Sequence, residues 1–335
     1  MASDVTAPSG YTLRDAVRAD SKGMAAVYDG AYPDDSGYPL QTADAVEHKV
    51  FDDAQMRSFV IEADDGSIAA TASIKYDSVY SGNAEICRLA VSPDHQGNGL
   101  ARTLLEHRLA VLAGDPAVDV VFSAAVTSHP YSQHNLAERG FVPAAFLKRI
   151  QSGYFSEYRE SQAIVVHPDW TADADRTVYV PERFRPAIET ILDTLFGTRF
   201  GRDIDGLDLA IERVDDPAVD RSTEASKMGQ WVETAADLET AVDHSGPELL
   251  AAVDANTPES RAFYGRIFEY GLTPAGFIPD WLETDGQSRD AFIFQYRTQD
   301  ERVPVEAIDE LVTLLDALDI TYQVTGGDEY TELEL

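Results

Sequence analysis

Between Asn83 and Ala113 the hydrophobic pattern changes period. Ile86 to Val91 is a β-branched and apolar run, Pro93-Asp94 marks a turn, and a glycine-punctuated loop follows. Leu100, Leu104, Leu105, Leu109 and Leu112 then recur at helical spacing, with Arg102, Glu106 and Arg108 between them. This predicts a strand, a loop and a helix with one apolar stripe against a sheet. Upstream, the pattern predicts a strand at Tyr11–Val17 and helices at Ser21–Tyr28 and Thr42–Asp52. A hairpin is expected from Ser58–Ala63 and Ser67–Tyr76 around Asp64-Asp65-Gly66, leading to a strand at Glu85–Val91. Downstream come a strand at Val118–Val126, a short helix at Gln133–Arg139, and strands at Phe141–Ile150 and Gln162–His167.

A segment poor in apolar residues, His167 to Arg176, reads as a linker. Beyond it the pattern predicts a strand at Thr177–Val180, a helix at Pro186–Phe196, a strand at Leu207–Val214 and a helix at Leu238–His244. A strand at Asp290–Tyr296 and a helix at Val305–Leu318 complete this half, and the closing GGDEYTELEL is acidic. The second half also echoes the first. AAV at Ala124–Val126 is followed by GFVPAAF at Gly140–Phe146, and AAV at Ala251–Val253 by GLTPAGF at Gly271–Phe277. Two short motifs in one register argue for a duplicated unit, with chance likeness of a short motif as the alternative.

Composition narrows the class. With 335 residues, 44% hydrophobic and 10% aromatic, the chain can build two cored domains. Net charge is −33, and the only lysines are Lys22, Lys49, Lys75, Lys148 and Lys227. Apolar content this high and periodic excludes disorder as the reason for the acidity. Dense like charge destabilises a compact state unless salt screens it, so the expectation is a halophile's protein. Nucleic acid is excluded as a partner, because phosphate neutralisation needs clustered Lys and Arg. Cys87 is the single cysteine; it allows no internal disulfide and reads as a small buried hydrophobe. MASDVTAPSG has no signal-peptide pattern and no apolar run approaches the about 18 residues of a membrane span, so a soluble, cytoplasmic protein is expected.

The chemistry sits in the loop before Leu100. Gln96, Gly97, Asn98 and Gly99 precede the first helical turn, where unpaired N–H groups favour an anion and glycines let a ligand approach the main chain. A diphosphate fits, and so does an ordinary tight turn. The stretch resembles the acetyl-CoA motif of the GNAT acyltransferase superfamily: Gln or Arg, two residues, Gly, one residue, then Gly or Ala. Gln96, Gly99 and Ala101 fill those positions, and Leu89-Ala90-Val91-Ser92-Pro93 resembles the strand end before it. QHNLAERGF at Gln133–Phe141 resembles the family's helix ending in Gly-Phe.

The resemblance implies a GNAT fold in the α/β (α+β) class, a mixed central sheet flanked by helices, over 1–168. After a linker at 169–176, a second, degenerate GNAT-like domain at 177–325 and an acidic tail at 326–335 are expected, a tandem protein of haloarchaeal type. Acetyl-CoA is the implied cosubstrate, with Leu89, Ala90, Val91, Gln96, Gly97, Asn98, Gly99, Leu100, Ala101 and Ser132 around it. The Val91 N–H would polarise the acetyl carbonyl. Glu85, eleven residues before Gln96, stands where some members carry a base, and is otherwise a polar residue at a strand end.

There is one departure. The tyrosine that many members use as acid is replaced by Leu136, leaving Tyr131 as the nearest hydroxyl, with His129 and Ser132 beside it; each also suits a structural role, Ser132 as a helix N-cap. No metal is expected, since His129 and His134 lie five apart. The second copy's diphosphate loop would fall at Thr223–Val232, which has only Gly229, so coenzyme binding is expected in the first half alone.

Three readings follow: an N-acyltransferase acting on an amine of unknown identity, an acyl-CoA-binding regulatory module without turnover, and a scaffold. A monomer with pseudo-dimeric tandem domains and a homodimer both fit. Because chain and coenzyme are anions, folding and acetyl-CoA binding should both strengthen as KCl is raised towards molar concentration, seen in circular dichroism and calorimetry. Full secondary structure and tight binding in dilute buffer would contradict this.

Overall fold

The computed structural model describes residues 5–32, 36–76, 82–151, 160–171, 175–197, 202–209, 230–233, 238, 249–284, 286–296, 303–320 and 322–324. Two compact units divide these residues, the first ending at Ser123 and the second starting at Ala124.

The first unit contains β1 (Tyr11–Asp15), α1 (Ser21–Ala31), α2 (Ala43–Val46), β2 (Met56–Ala63), β3 (Ile68–Tyr76), β4 (Asn83–Val91) and α3 (Leu100–Leu112). The start of β5 (Val120–Val126) also belongs to it. Strands β1 to β4 pair antiparallel in sequence order, and β5 joins β4 in parallel. Alternation along β2 sends neighbours to opposite faces. Val60 joins Met24, Val27, Tyr28, Leu40, Val46, Val50 and Ala90 in a core under α1 and α2. Phe59 meets the His107 ring of α3 edge-on, its centroid 4.8 Å away. The helix expected over Thr42–Asp52 continues past α2 as a π turn, Glu47–Phe51.

One residue of the α3 stripe departs from its type. Leu100, Leu104, Leu105 and Leu112 are buried as expected, but Leu109 is half-exposed, while Arg108 is 2% exposed. Arg108 stands four residues after Leu104 and four before Leu112, so helical geometry puts it on the buried face whatever its charge.

The second unit repeats a short course of elements. The end of β5 leads to α4 (Tyr131–Ala137), β6 (Val142–Gln151) and β7 (Glu160–Val166). Next come β8 (Arg176–Pro181), α5 (Arg185–Thr190), β9 (Arg202–Leu207) and β10 (Gln230–Val232). Then β11 (Leu249–Asp254) leads to α6 (Arg261–Glu269), β12 (Leu272–Thr284) and β13 (Gln287–Tyr296). β14 (Val303–Val305), α7 (Asp309–Ala317) and β15 (Tyr322–Val324) finish the chain.

In the sheet the order is β5-β7-β6-β12-β13-β11-β10. Up to β11 it is symmetric about the β6/β12 contact, with the strands of the two sequence echoes in matching places. Ala145 pairs with Ile164 and Gly276 with Ile293, and each strand breaks register just before that residue, after Pro143 and after Pro274. Gly140 and Gly271 enter their strands with φ +85° and +73°. Gly276 and Ala145 hold the same place in the two motifs, and they pair with each other. Equivalent residues facing one another are what a two-fold axis produces.

Several expectations need correction. The strand placed at Leu207–Val214 lies earlier, as β9, with residues 208–209 outside any strand and 210–214 outside the described residues. Its polar spelling hides a buried role: Arg202, with no side-chain exposure, forks onto Asp290 through Nε (3.1 Å) and Nη2 (2.9 Å), and Arg176 and Asp280 complete the cluster. Burial works to raise the Asp290 pKa, yet the Arg202 guanidinium holds it below the usual carboxylate value. The helix at Pro186–Phe196 divides into α5 and a π turn, Ile191–Phe196. Pro168–Trp170 of the expected linker is a 3-10 turn, and Arg176 already belongs to β8.

Helix 238–244 beyond Leu238, residues 223–229 and the tail 326–335 lie outside the described residues. The compact units also divide inside β5 instead of at 169–176, because α4 and β6 are tied to later elements. Gln133 donates to the Glu306 carbonyl (2.7 Å), and the Gln295 amide joins both main-chain groups of Lys148 at 2.8 and 2.9 Å.

A Cβ on Gly276 would overlap Ala144 O and the Ala145 Cα and Cβ, so only glycine fits this crossing. Gly276→Ala should cost about 2 kcal/mol in denaturant unfolding at fixed molar KCl. Gly265→Ala, in α6 with open space around it, should instead stabilise by about 0.5 kcal/mol. Equal effects from the two would contradict the close crossing.

Candidate active site

The site expected from sequence begins where β4 ends. Ser92 N–H still bonds Ala69 O at 2.9 Å, and Pro93–His95 form a 3-10 turn started by Pro93. That turn is moored by Tyr11 Oη to His95 Nδ1 at 3.1 Å. Asn98 Nδ2 donates back to the carbonyls of His95 (3.1 Å) and Gln96 (3.3 Å), which curls the loop on itself.

Gly97 and Gly99 have φ +77° and +70°, a left-handed backbone that side chains with a Cβ resist. Gly99 is the N-cap of α3 and supplies no side-chain cap. Among the described residues no side chain caps the first N–H groups of that helix, and beyond the adjacent backbone nothing lies within 4 Å of where a Gly99 Cβ would be. Gln96, Gly97 and Asn98 are exposed, and Ala101 half-buried, while Leu100 anchors the helix in the core. An uncapped helix start, bare of side chains and open to solvent, binds an anion through oriented amides and the helix dipole.

Strand β4 carries a second feature that no sequence pattern announced. Ser73 pairs with Cys87 and Thr71 with Ala90, so Arg88 and Leu89 together face one residue of β3. This is a β-bulge, and at its centre Arg88 has φ +55°. Its carbonyl accepts from Tyr28 Oη at 3.0 Å. Arg108 Nη1 donates to Ser73 O and Cys87 O, both at 3.2 Å, and its Nε donates to Leu104 O at 3.2 Å. Burial lowers the Arg108 pKa to about 10, which still leaves a cation at neutral pH. The buried guanidinium thus staples the last regular pair before the bulge. The β4–β5 ladder ends at Glu85–Phe122, so Leu89, Ala90 and Val91 lie outside it.

Glu85 lies in that last ladder pair, half-buried, and across from Lys75 on β3. Cys87 follows two residues later. Burial first and the charge of Glu85 next push its thiol up to about 12, so it remains a thiol at neutral pH and behaves as packing.

The remaining expected residues are in the second unit. Tyr131 is 42% exposed, with its ring 5.3 Å from that of His129. Burial lowers the His129 pKa, against the pull of Glu160 and Glu306. Ser132 is not the N-cap: α4 starts at Tyr131 after Pro130, which places Ser132 inside the first turn with its Oγ buried and unbonded. Leu136 is 6% exposed and packs as core, so no hydroxyl stands at the position where the resemblance places an acid. Among the described residues no group of three His, Cys, Asp or Glu could hold a metal, and no helix is long and apolar enough to cross a membrane. A cavity of about 740 Å³ lies elsewhere, lined among others by Arg176, Glu189, Asp193 and Arg202, whose guanidiniums are already matched by Asp280 and Asp290.

Residues 24–141 match the family described as Acetyltransferase (GNAT) family. The matched stretch is about a third of this chain. Its fold is the mixed sheet flanked by helices of that family, with further strands towards the C-terminus. Among solved structures it is similar to spermidine N-acetyltransferase from Vibrio cholerae in complex with CoA and spermine, at 19% identity and a TM-score of 0.40, over 48% of this chain and 98% of that one. It is also similar to spermidine/spermine N-acetyltransferase from Vibrio cholerae in complex with manganese ions, at 21% identity and a TM-score of 0.38, over 47% and 92%. At that distance the structures assign no substrate and no residue role. No curated protein matches the chain in sequence.

Arg108→Met would leave the Ser73 and Cys87 carbonyls without their donor and should cost about 3 kcal/mol in denaturant unfolding. Arg108→Lys, with a single ammonium on a different stem, should recover only part of it. A neutral Arg108→Met substitution would show that the staple is dispensable.

Proposed function

We propose that the chain is an acetyl-CoA-dependent N-acyltransferase with one coenzyme site, in which acetyl passes directly to an amine within a ternary complex. The observation that carries this reading is the uncapped, glycine-lined start of α3 at the end of a bulged β4. The amides of Gly97 to Ala101 take the diphosphate, Gln96 and Asn98 border it, and Leu100 fixes the helix behind it. The arm then runs back along β4, where main-chain groups of Leu89, Ala90 and Val91 lie outside the β5 ladder. The Val91 N–H polarises the thioester carbonyl.

Glu85 takes the proton from the attacking amine, directly or through water. Tyr131 is the nearest candidate in sequence for returning a proton to the thiolate, and Ser132 for a contact with the coenzyme.

The second half is a degenerate copy of the first, and 177–325 serves to shape the protein. Support comes from the matched elements about Gly276–Ala145 and from β10, which pairs with β11 in parallel as β4 does with β5. With Ala251 equivalent to Ala124, Leu249 is equivalent to Phe122. Gln230, the partner of Leu249, therefore occupies the register position of Glu85. An amide cannot act as a base, so the second copy has lost the candidate catalytic group along with the loop. The tandem pair itself supplies the pseudo-dimer, which favours a monomer, and the acidic surface suits a salt-rich cytoplasm.

The buried Leu136 favours the second reading, an acyl-CoA-binding regulatory module. Release of free thiol from acetyl-CoA with a panel of amines in molar KCl separates the two, since only the enzyme turns over. Glu85→Gln should lower kcat about 100-fold at neutral pH and leave the Kd for acetyl-CoA unchanged. An unaltered kcat would remove Glu85 from the mechanism.

A further inference from the structure

The bulge of β4 places an arginine where the backbone resists one. A non-glycine residue at positive φ is strained, and glycine or asparagine would occupy Arg88's φ of +55° more easily. Fold alone therefore does not call for arginine here. Among the described residues the side chain also has no carboxylate partner, in a chain with 59 acidic and 26 basic residues. In the same unit Arg14, Arg18, Arg57 and Arg102 each reach a carboxylate. Arg88 reaches none among the described residues; its Nη1 donates to the Lys49 carbonyl at 2.8 Å. A guanidinium has five donors, so most of its fork is left to take an anion side-on.

Tyrosines cluster beside the bulge. Tyr28 bonds the Arg88 carbonyl, and Tyr38 stands over Tyr28 with ring centroids 5.4 Å apart. Tyr32 stacks on Tyr38 at 3.7 Å with the planes 7° apart. Burial raises the pKa of both Tyr28 and Tyr38, and the charge of Arg88 opposes it. The Arg88 charge is thus felt at both tyrosines, while its bond to the Lys49 carbonyl lies at the solvent-exposed surface, open to a ligand. Arg88 precedes Leu89, so with the diphosphate at Gly97–Ala101 and the arm lying back along β4, it stands at the acyl end.

We propose that Arg88 binds a carboxylate carried by the acceptor, which makes the acceptor an amino acid or similar zwitterionic amine and not a polycation. The inference rests on the acetyltransferase reading above. A positive charge at the acyl end disfavours a polyamine, whereas a carboxylate near the attacking amine pairs with it and fixes the amine's orientation.

The test uses the full chain in molar KCl with acetyl-CoA and matched pairs: lysine and cadaverine, phenylalanine and phenethylamine, with spermidine as the polycation. For at least one pair the amino acid should be favoured about 100-fold in kcat/KM, and spermidine should be poor. Arg88→Asn keeps the left-handed backbone and should erase that preference by raising the amino acid's KM about 100-fold, with the Kd for acetyl-CoA unchanged. Arg88→Lys should restore part of it. The inference is overturned if Arg88→Asn keeps the preference, if the amines or spermidine are used equally well by the unaltered protein, or if acetyl-CoA binds and neither class is turned over. Failure to bind acetyl-CoA at all would overturn the underlying reading instead, and this assignment with it.

Discussion

A buried guanidinium bonded to main-chain carbonyls determines the shape of the strand on which the site is built. Arg108 reaches from α3 to Ser73 on β3 and Cys87 on β4, the two residues that pair just before the ladder slips. Tyr28 answers from the other side by bonding the Arg88 carbonyl. Both bonds are charge-assisted or buried, so the bulge is held from two helices at once. The same α3 that carries Arg108 begins at Gly99. The uncapped helix start and the bulge are therefore two ends of one strand–loop–helix unit.

Repetition is the second constraint. The β5–α4–β6–β7 and β11–α6–β12–β13 courses share a register break at the same motif position, and Gly276 meets its counterpart Ala145. Such a crossing permits no Cβ on one side, which ties a sequence difference inside the repeat, Ala against Gly, to packing. In the parallel pairs at the outer end of each course, Glu85 and Gln230 hold the same register position.

Much of this was legible in the amino acids. The hairpin about Asp64-Asp65-Gly66, the β4–loop–α3 unit and the repeated Gly-x-x-Pro-Ala-x-Phe carry their geometry in turn residues and period, and they lie where expected. Arg108 was not legible, because a period argument assigns charged residues to the outer face and here the main chain, not a carboxylate, solvates the charge. β9 hid for a related reason: Arg202 reads as exposed until Asp280 and Asp290 are brought to it from 78 and 88 residues further on. The left-handed Arg88 has no signature in its residue type. Ser132 looked like a cap because the helix was expected two residues later, at Gln133. The gap left by Leu136 was visible in sequence, and the structure packs that leucine into the core.

The central claim is that one set of helix-start amides, and no second set, binds the activated thioester. Titration calorimetry of acetyl-CoA into the intact protein in molar KCl tests it most directly. The account predicts one equivalent bound per chain, and loss of that heat when Gly97 and Gly99 are both replaced by valine. Two equivalents, none, or a valine double variant that binds undiminished would contradict it.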